Sequence, residues 1–397
     1  MKQFIHMLFL FLVFGFLATA MITTIRQDDE SLAYYENRTY AEMPALTAGN
    51  ILSGDYFTKS EAYLGDHAAG RITLVTLKTK WDMNIFKRPV VNDIVISDDI
   101  LLPWNDYETV DAASITKAAN EVAADQGKLR DLIATYGGNY YYVAVPCQYA
   151  FYEENYPWYL NNRASYTALE TDRFQQSMEA EQINYIDMGD IFATLPDKDL
   201  YSSKVDNHYS LYGAYETYRA LIFSINQSTG DSLLFPDSNE ITITSLPNRY
   251  LGSRNRKLLG LWNNDEKLDT ATYTNPIPFT RMDNGKPNKP YVYLTPPTEW
   301  NDALYLLYMG GDIAETVIDT NRAELPSVLI YGDSFTNALE TLIYYSFDEM
   351  RSLDLRYYDD MSLADYIETY QPDIVICVRD YEQMLNEEGN GNLFEKN

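Results

Sequence analysis

An apolar run, Ser327-Val328-Leu329-Ile330-Tyr331, leads into Gly332-Asp333-Ser334-Phe335 and then into a helical pattern. This is the layout that a serine nucleophile requires. A strand would deliver Ser334 to the rim of a sheet, where ligands of open α/β folds collect. The backbone N–H at the start of the following helix would stabilise a developing oxyanion. Gly332 and Asp333 therefore join Ser334 as candidate oxyanion or substrate residues. An isolated Gly-Asp-Ser also reads as a helix N-cap, because Asp and Ser both favour that position.

A serine hydroxyl is a poor nucleophile near neutral pH and needs a base. The chain holds three histidines, His6, His67 and His208. His6 lies in the apolar N-terminal stretch. His208 sits in Lys204-Val205-Asp206-Asn207-His208-Tyr209-Ser210, a polar loop running into a helix. Asp206, two residues upstream, can hold the second ring nitrogen and so set the tautomer. The competing reading makes Asp206 a helix cap and His208 a surface residue. Two such motifs, both at loop-to-helix junctions, favour the pairing of His208 with Ser334. His67 also follows an acid, Asp66, but lies within a helical segment and is expected to be structural. With so few histidines no zinc cluster can be built, and neither a metal nor a cofactor is expected.

The elements that must position these groups alternate. Helical spacing covers Ala112 to Tyr136, about Tyr166 to Ala180, and about Leu211 to Ile225. It returns over Thr336 to Phe347 and Ser362 to Tyr370. Short apolar strands fall at Tyr140–Val145, Ile183–Met188, Ser327–Tyr331, Ser352–Arg356 and Asp373–Val378. Strands alternating with amphipathic helices imply an α/β fold, a parallel sheet flanked by helices. The rhythm fails over about 231–325, which reads as a partly β insertion lying over the sheet edge. Residues 51–109 form an N-terminal extension of the domain expected over 51–397, and 25–50 a tether.

Phe4 to Thr24 is almost wholly apolar, long enough to cross a bilayer as a helix. It reads as an uncleaved signal anchor over residues 1–24. Ala18-Thr19-Ala20 gives the alternative of a cleaved signal peptide. Either version exports the rest of the chain, so the expected location is the cell membrane with the domain outside the cytoplasm, or secretion. Acidic residues outnumber basic ones by 58 to 30, a formal charge of -28. That excludes nucleic acid, whose binders need a basic footprint. A neutral polysaccharide suits the charge better, and the 35 tyrosines include rings able to stack on sugar faces. Most are expected to be packing residues. Cys147 and Cys377 lie in or beside apolar strands and read as two buried thiols, with a disulfide as the alternative.

The Asp-x-His-x-x-x-x-Gly-Ala run Asp206 to Ala214, followed in chain order by a strand and Gly332-Asp333-Ser334-Phe335, resembles the bacterial DHHW family. That family is related to the alginate O-acetyltransferases AlgX and AlgJ, which have an SGNH-hydrolase-like domain. Glu36-Asn37-Arg38, Asp66-His67, Val91-Asn92-Asp93, Tyr185-Ile186-Asp187, Leu251-Gly252-Ser253 and Met309-Gly310-Gly311 fit the same pattern. The resemblance implies a catalytic triad of Ser334, His208 and Asp206, and an SGNH-like fold. It also implies O-acetylation of a polysaccharide, with acetyl relayed by a membrane-bound O-acyltransferase partner. The family's Asp-His-His-Trp is here Asp206-Asn207-His208-Tyr209, so substrate contacts near Asn207 and Tyr209 are expected to differ. No Gly-x-Asn block supplies a side-chain oxyanion donor. Arg379 and Tyr381, beyond the last strand, are the nearest candidates for that role, and Gly252 and Ser253 join them as candidate substrate or oxyanion residues. Ester hydrolysis, or polysaccharide binding by a module with a relic triad, are the alternatives.

Overall fold

A computed structural model describes residues 2–26, 32–36, 38–107, 109–230, 232–386 and 393–395. The chain divides into two compact units. One comprises Met1–Ile94 with Asn255–Asn263, and the other Val95–Arg254 with Asn264–Asn397. Of the tether expected over 25–50, residues 27–31 and 37 lie outside the described residues, which takes in Asn37 of the Glu36-Asn37-Arg38 motif.

The first unit begins with α1, Lys2–Arg26. Its segment Gln3–Thr24 has 22 residues and a mean hydropathy of 2.4. At 1.5 Å per residue that is about 33 Å, enough to span a hydrocarbon core of roughly 30 Å. After a short helix over Ala48–Ser53 come α2 (Asp55–His67) and α3 (Arg71–Asn84). His67 is buried at the end of α2, its Nε2 3.1 Å from the Ala41 carbonyl and its ring 4.4 Å from that of Tyr63. Asp66 takes a two-pronged ion pair from Arg38 and the Ala41 N–H. The Arg38 guanidinium holds the Asp66 carboxyl well below the usual carboxylate range. His67 is thus packed as a structural residue.

The second unit is built on a sheet of eight strands among the described residues. In chain order they are β1 (Asn139–Val145), β2 (Asn184–Asp187), β3 (Thr280–Asp283), β4 (Lys286–Asn288), β5 (Glu315–Asp319), β6 (Val328–Gly332), β7 (Glu349–Asp354) and β8 (Ile374–Asp380). Their spatial order is β4-β3-β5-β7-β6-β8-β1-β2. The five strands from β7 to β2 are parallel. The other three extend that edge in antiparallel fashion and come from the segment without helical rhythm.

Helices α4 (Ala112–Ala134), α5 (Ala164–Ala180), α6 (Leu211–Thr229), α7 (Phe335–Ile343) and α8 (Leu363–Tyr370) cover both faces. Successive strand residues point to opposite sides. Accordingly, Tyr140 donates to Gln126 Oε1 of α4 at 2.7 Å, while the next residue, Tyr141, bonds Ser228 of α6. Tyr331, in the neighbourhood of Tyr140, shares the same Gln126 oxygen at 2.8 Å. Tyr140, Tyr141 and Tyr331 thus spend their hydroxyls inside the core, as burial of polar groups demands. Cys147 and Cys377 are free and buried, and burial pushes the Cys377 thiol up to about 11.

Around the nucleophile motif the element boundaries differ from the sequence reading. The helix after Ser334 ends at Ile343 and tightens into a single 3-10 turn over Tyr344–Ser346. The strand expected from Ser352 instead starts at Glu349, because Arg351 is neutralised there by Glu349 at 2.7 Å and covered by the Tyr370 ring at 3.7 Å. It ends at Asp354, which accepts the N–H groups of Arg356 and Tyr358 and turns the chain.

Candidate active site

The carboxyl end of β6 is crowded. A Cβ on Gly332 would meet the Val378 carbonyl oxygen at 2.3 Å, so only glycine lets β6 lie this close to β8 there. Asp333 then turns the chain, its Oδ1 accepting the Phe335 N–H at 2.9 Å. That bond satisfies an orphan donor of α7 and releases Ser334, whose side chain makes no capping bond. The Ser334 Oγ lies 2.7 Å from His208 Nε2.

The opposite wall is the loop before α6. Ser210 caps that helix by accepting the Gly213 N–H at 3.1 Å. Asp206 is therefore not the cap, and it is buried with only 2% of its surface exposed. Its Oδ1 lies 2.5 Å from His208 Nδ1 and also accepts the His208 N–H. Its Oδ2 accepts the Ser253 N–H at 2.6 Å. An ionised carboxylate only accepts, so Nδ1 carries the ring proton and Nε2 is left to accept from Ser334. Burial pushes the Asp206 carboxyl up, but the His208 ring and the backbone donors outweigh it and hold it well below the usual carboxylate range.

The stretch 249–254 reaches this wall, the Arg254 N–H donating to Val205 O at 3.1 Å, and is backed by Ala303. Leu251 N–H donates to Ala303 O at 2.9 Å, and Ala303 N–H donates to Arg249 O at 2.8 Å. This places Ser253 beside Asp206. A Cβ on Gly252 would meet the Val205 carbonyl at 2.3 Å, so the close approach that delivers the Ser253 N–H depends on glycine.

Of the other sequence candidates, Tyr209 is buried, with its ring stacked on Phe335 and its hydroxyl donated to Phe335 O at 2.7 Å. It ties the His208 loop to α7 and is not a surface residue. Arg379 is buried with its Nη1 3.3 Å from Asp333 Oδ2. Tyr381 donates its hydroxyl to Asp187. The polar contacts of Arg379 and Tyr381 thus run to Asp333 and Asp187. Among the described residues no cluster of three or more His, Cys, Asp or Glu side chains is placed to hold a metal.

Tyr305 carries no signal in the sequence, being one tyrosine within the β-prone Ala303-Leu304-Tyr305-Leu306-Leu307-Tyr308-Met309 run. Its ring lies flat on His208, centroids 3.6 Å apart and planes 5° apart, and its hydroxyl donates to the Ser334 carbonyl at 3.1 Å. One side chain thus fixes the orientation of the imidazole and the position of the serine. Tyr305→Leu should lower kcat for an ester substrate by roughly 10–100-fold, through misplacement of His208. Tyr305→Phe keeps the ring and loses one hydrogen bond, so its loss should be roughly tenfold or less. Steady-state kinetics of the two variants would check this ordering; equal losses would refute it.

Residues 101–269 match the family model of the SGNH hydrolase-like domain, acetyltransferase AlgX. The chain carries an SGNH-like domain. The matched span includes Asp206, His208 and Ser253 and ends before Ser334. Among solved structures, Bacillus cereus PatB1 is similar at 22% identity and a TM-score of 0.59, over 73% of this chain and 96% of that one. A second PatB1 structure, described as holding a sulfonyl adduct, superposes equally well at 20% identity. A DHHW family protein from Eubacterium siraeum matches at 16% identity and a TM-score of 0.53, over 77% of this chain and 97% of that one. No curated protein sequence matches the chain. The likeness to these structures shows a shared fold.

Proposed function

We propose that this protein is an extracytoplasmic serine acyl-transfer enzyme that O-acetylates a cell-envelope or secreted polysaccharide. The observation that carries the reading is the unbroken hydrogen-bonded line Asp206–His208–Ser334 at the carboxyl edge of the sheet. His208 Nε2 takes the hydroxyl proton as Ser334 Oγ attacks the donor's acyl carbon. The proton passes to the leaving oxygen and an acyl-enzyme remains. An acceptor hydroxyl then gives its proton to Nε2 and attacks the ester carbon. The Oγ–carbon bond breaks, and the proton returns to Oγ. Asp206 holds the ring throughout and steadies its positive form.

The match to an acetyltransferase domain favours acetyl as the group transferred. The sulfonyl adduct of PatB1, a protein of similar fold, supports a nucleophile of this kind. The apolar helix α1 would hold the domain outside the membrane as an anchor, or direct its export as a signal. A membrane-bound O-acyltransferase is the proposed source of acetyl, and a neutral glycan the acceptor, in keeping with the charge of -28.

The test is transfer itself. The full chain in detergent micelles, given p-nitrophenyl acetate and a panel of neutral oligosaccharides, should yield sugar heavier by one acetyl group in mass spectra. Rapid release of acetate from acetylated polymers, with no panel member acetylated, would leave an esterase instead.

A further inference from the structure

Ser253 is hydrogen-bonded on both sides of the base loop. Its N–H goes to Asp206, and its Oγ accepts the Asn207 N–H at 3.2 Å. The single Ser253 hydroxyl proton is then given to Asn207 Oδ1, at 2.7 Å. This arrangement fixes the Asn207 carboxamide with its oxygen on Ser253 and its Nδ2 turned to His208, 3.5 Å from Nε2. Nε2 already accepts the Ser334 hydroxyl at 2.7 Å. A separation of 3.5 Å is too long for a good bond between the nitrogens themselves. The amide therefore presents a donor beside the reacting atoms without spending it on His208.

Two nitrogens 3.5 Å apart can both hydrogen-bond one oxygen placed about 2.9 Å from each. The reaction supplies such an oxygen. Once Ser334 Oγ is acylated it has no proton to give, and the attacking hydroxyl takes its place as donor to Nε2. We propose that Asn207 Nδ2 donates a hydrogen bond to this acceptor oxygen and so seats it against His208 for attack on the acyl-enzyme. The proposal rests on the acyl-transfer reading above. Asn207 gives up no proton: the acceptor's proton goes to Nε2, the new oxygen–carbon bond forms, and the Ser334 ester bond breaks.

The two half-reactions can be read separately. A fluorophosphonate probe reports the nucleophile alone, because its fluoride leaves without needing a proton from His208. Formation of acetylglycerol from p-nitrophenyl acetate and glycerol, followed by mass spectrometry, reports the second half as well. With the full chain in micelles, Asn207→Ala should be labelled at a rate within about threefold of the parent, while acetylglycerol formation falls roughly tenfold or more. Asn207→Leu, of similar size and without a donor, should behave likewise. Asn207→His, which restores an N–H, should recover most of the transfer, with melting temperatures confirming that each variant is folded. Equal slowing of labelling and transfer, or unaltered transfer in both donorless variants, would overturn the role of Asn207. Labelling that persists in Ser334→Ala would instead overturn the acyl-transfer reading on which it rests.

Discussion

Ser334→Ala should leave no measurable turnover of p-nitrophenyl acetate while the fold and melting temperature stay close to those of the parent. Both halves of that expectation follow from one hydrogen bond. The Ser334 hydroxyl is committed to His208 Nε2, and its loss removes the atom proposed to form the ester. Triad members act as a unit, and removal of the nucleophile costs orders of magnitude in rate, roughly 10⁶-fold in a serine protease. Stability depends on other atoms. The first turn of α7 is capped by Asp333, and Ser334 makes no capping bond. The variant thus gives up one hydrogen bond, about 0.5–1.5 kcal/mol at most. Esterase assays paired with thermal melts would check the split between rate and stability. Loss of the fold along with activity would mean that Ser334 is a structural residue.

Asp206→Asn should lower the rate by roughly 10⁴-fold, the size of the effect in serine proteases, where an amide at this position forces the wrong tautomer. An asparagine side chain cannot accept on both of its heads, so it would either donate to Nδ1 or turn its amide against the Ser253 N–H. It should also cost stability, about 1–3 kcal/mol, because two backbone N–H groups lose a charged acceptor. The pH dependence has a definite sign. Asp206 titrates below its unfolded value, so its contribution is complete above the ordinary carboxylate range of about 4. It is lost as pH falls through the depressed native value. The melting temperatures of parent and Asp206→Asn should therefore differ at neutral pH and converge in strong acid. A gap that widened on acidification would contradict the ionised, hydrogen-bonded carboxylate.

What could be read from the sequence here was local. Ser327 to Tyr331 announced a strand, and the residues after Ser334 a helix, so the junction that exposes the serine was legible. Asp206 and His208 were legible for the same reason, being two residues apart and next to a helix start. The contacts that complete the site join distant parts of the chain. Tyr305 reaches His208 and Ser334 from a run whose pattern suggests a strand but which folds as a 3-10 turn over Tyr305–Leu307. Gly252 and Ser253 matter because the backbone passes close to Val205, a fact of packing that spacing cannot reveal. The antiparallel strands β3 to β5 are short and rich in polar residues, and two of them hold charges satisfied by tertiary partners. Arg281 in β3 is buried, yet it donates to Asp283 and to the carbonyls of Tyr291 and Met309. Such a strand carries little alternation for a sequence pattern to detect.

The central claim is that Ser334, activated by His208, is the nucleophile. The most direct measurement is to expose the full chain in micelles to a fluorophosphonate or sulfonyl fluoride, digest it, and locate the added mass by tandem mass spectrometry. The adduct should fall on Ser334 in the Gly332-Asp333-Ser334 peptide. It should be absent from Ser334→Ala and form far more slowly in His208→Ala, while His67→Ala labels like the parent. Stoichiometric labelling of another residue, or undiminished labelling in His208→Ala, would contradict it.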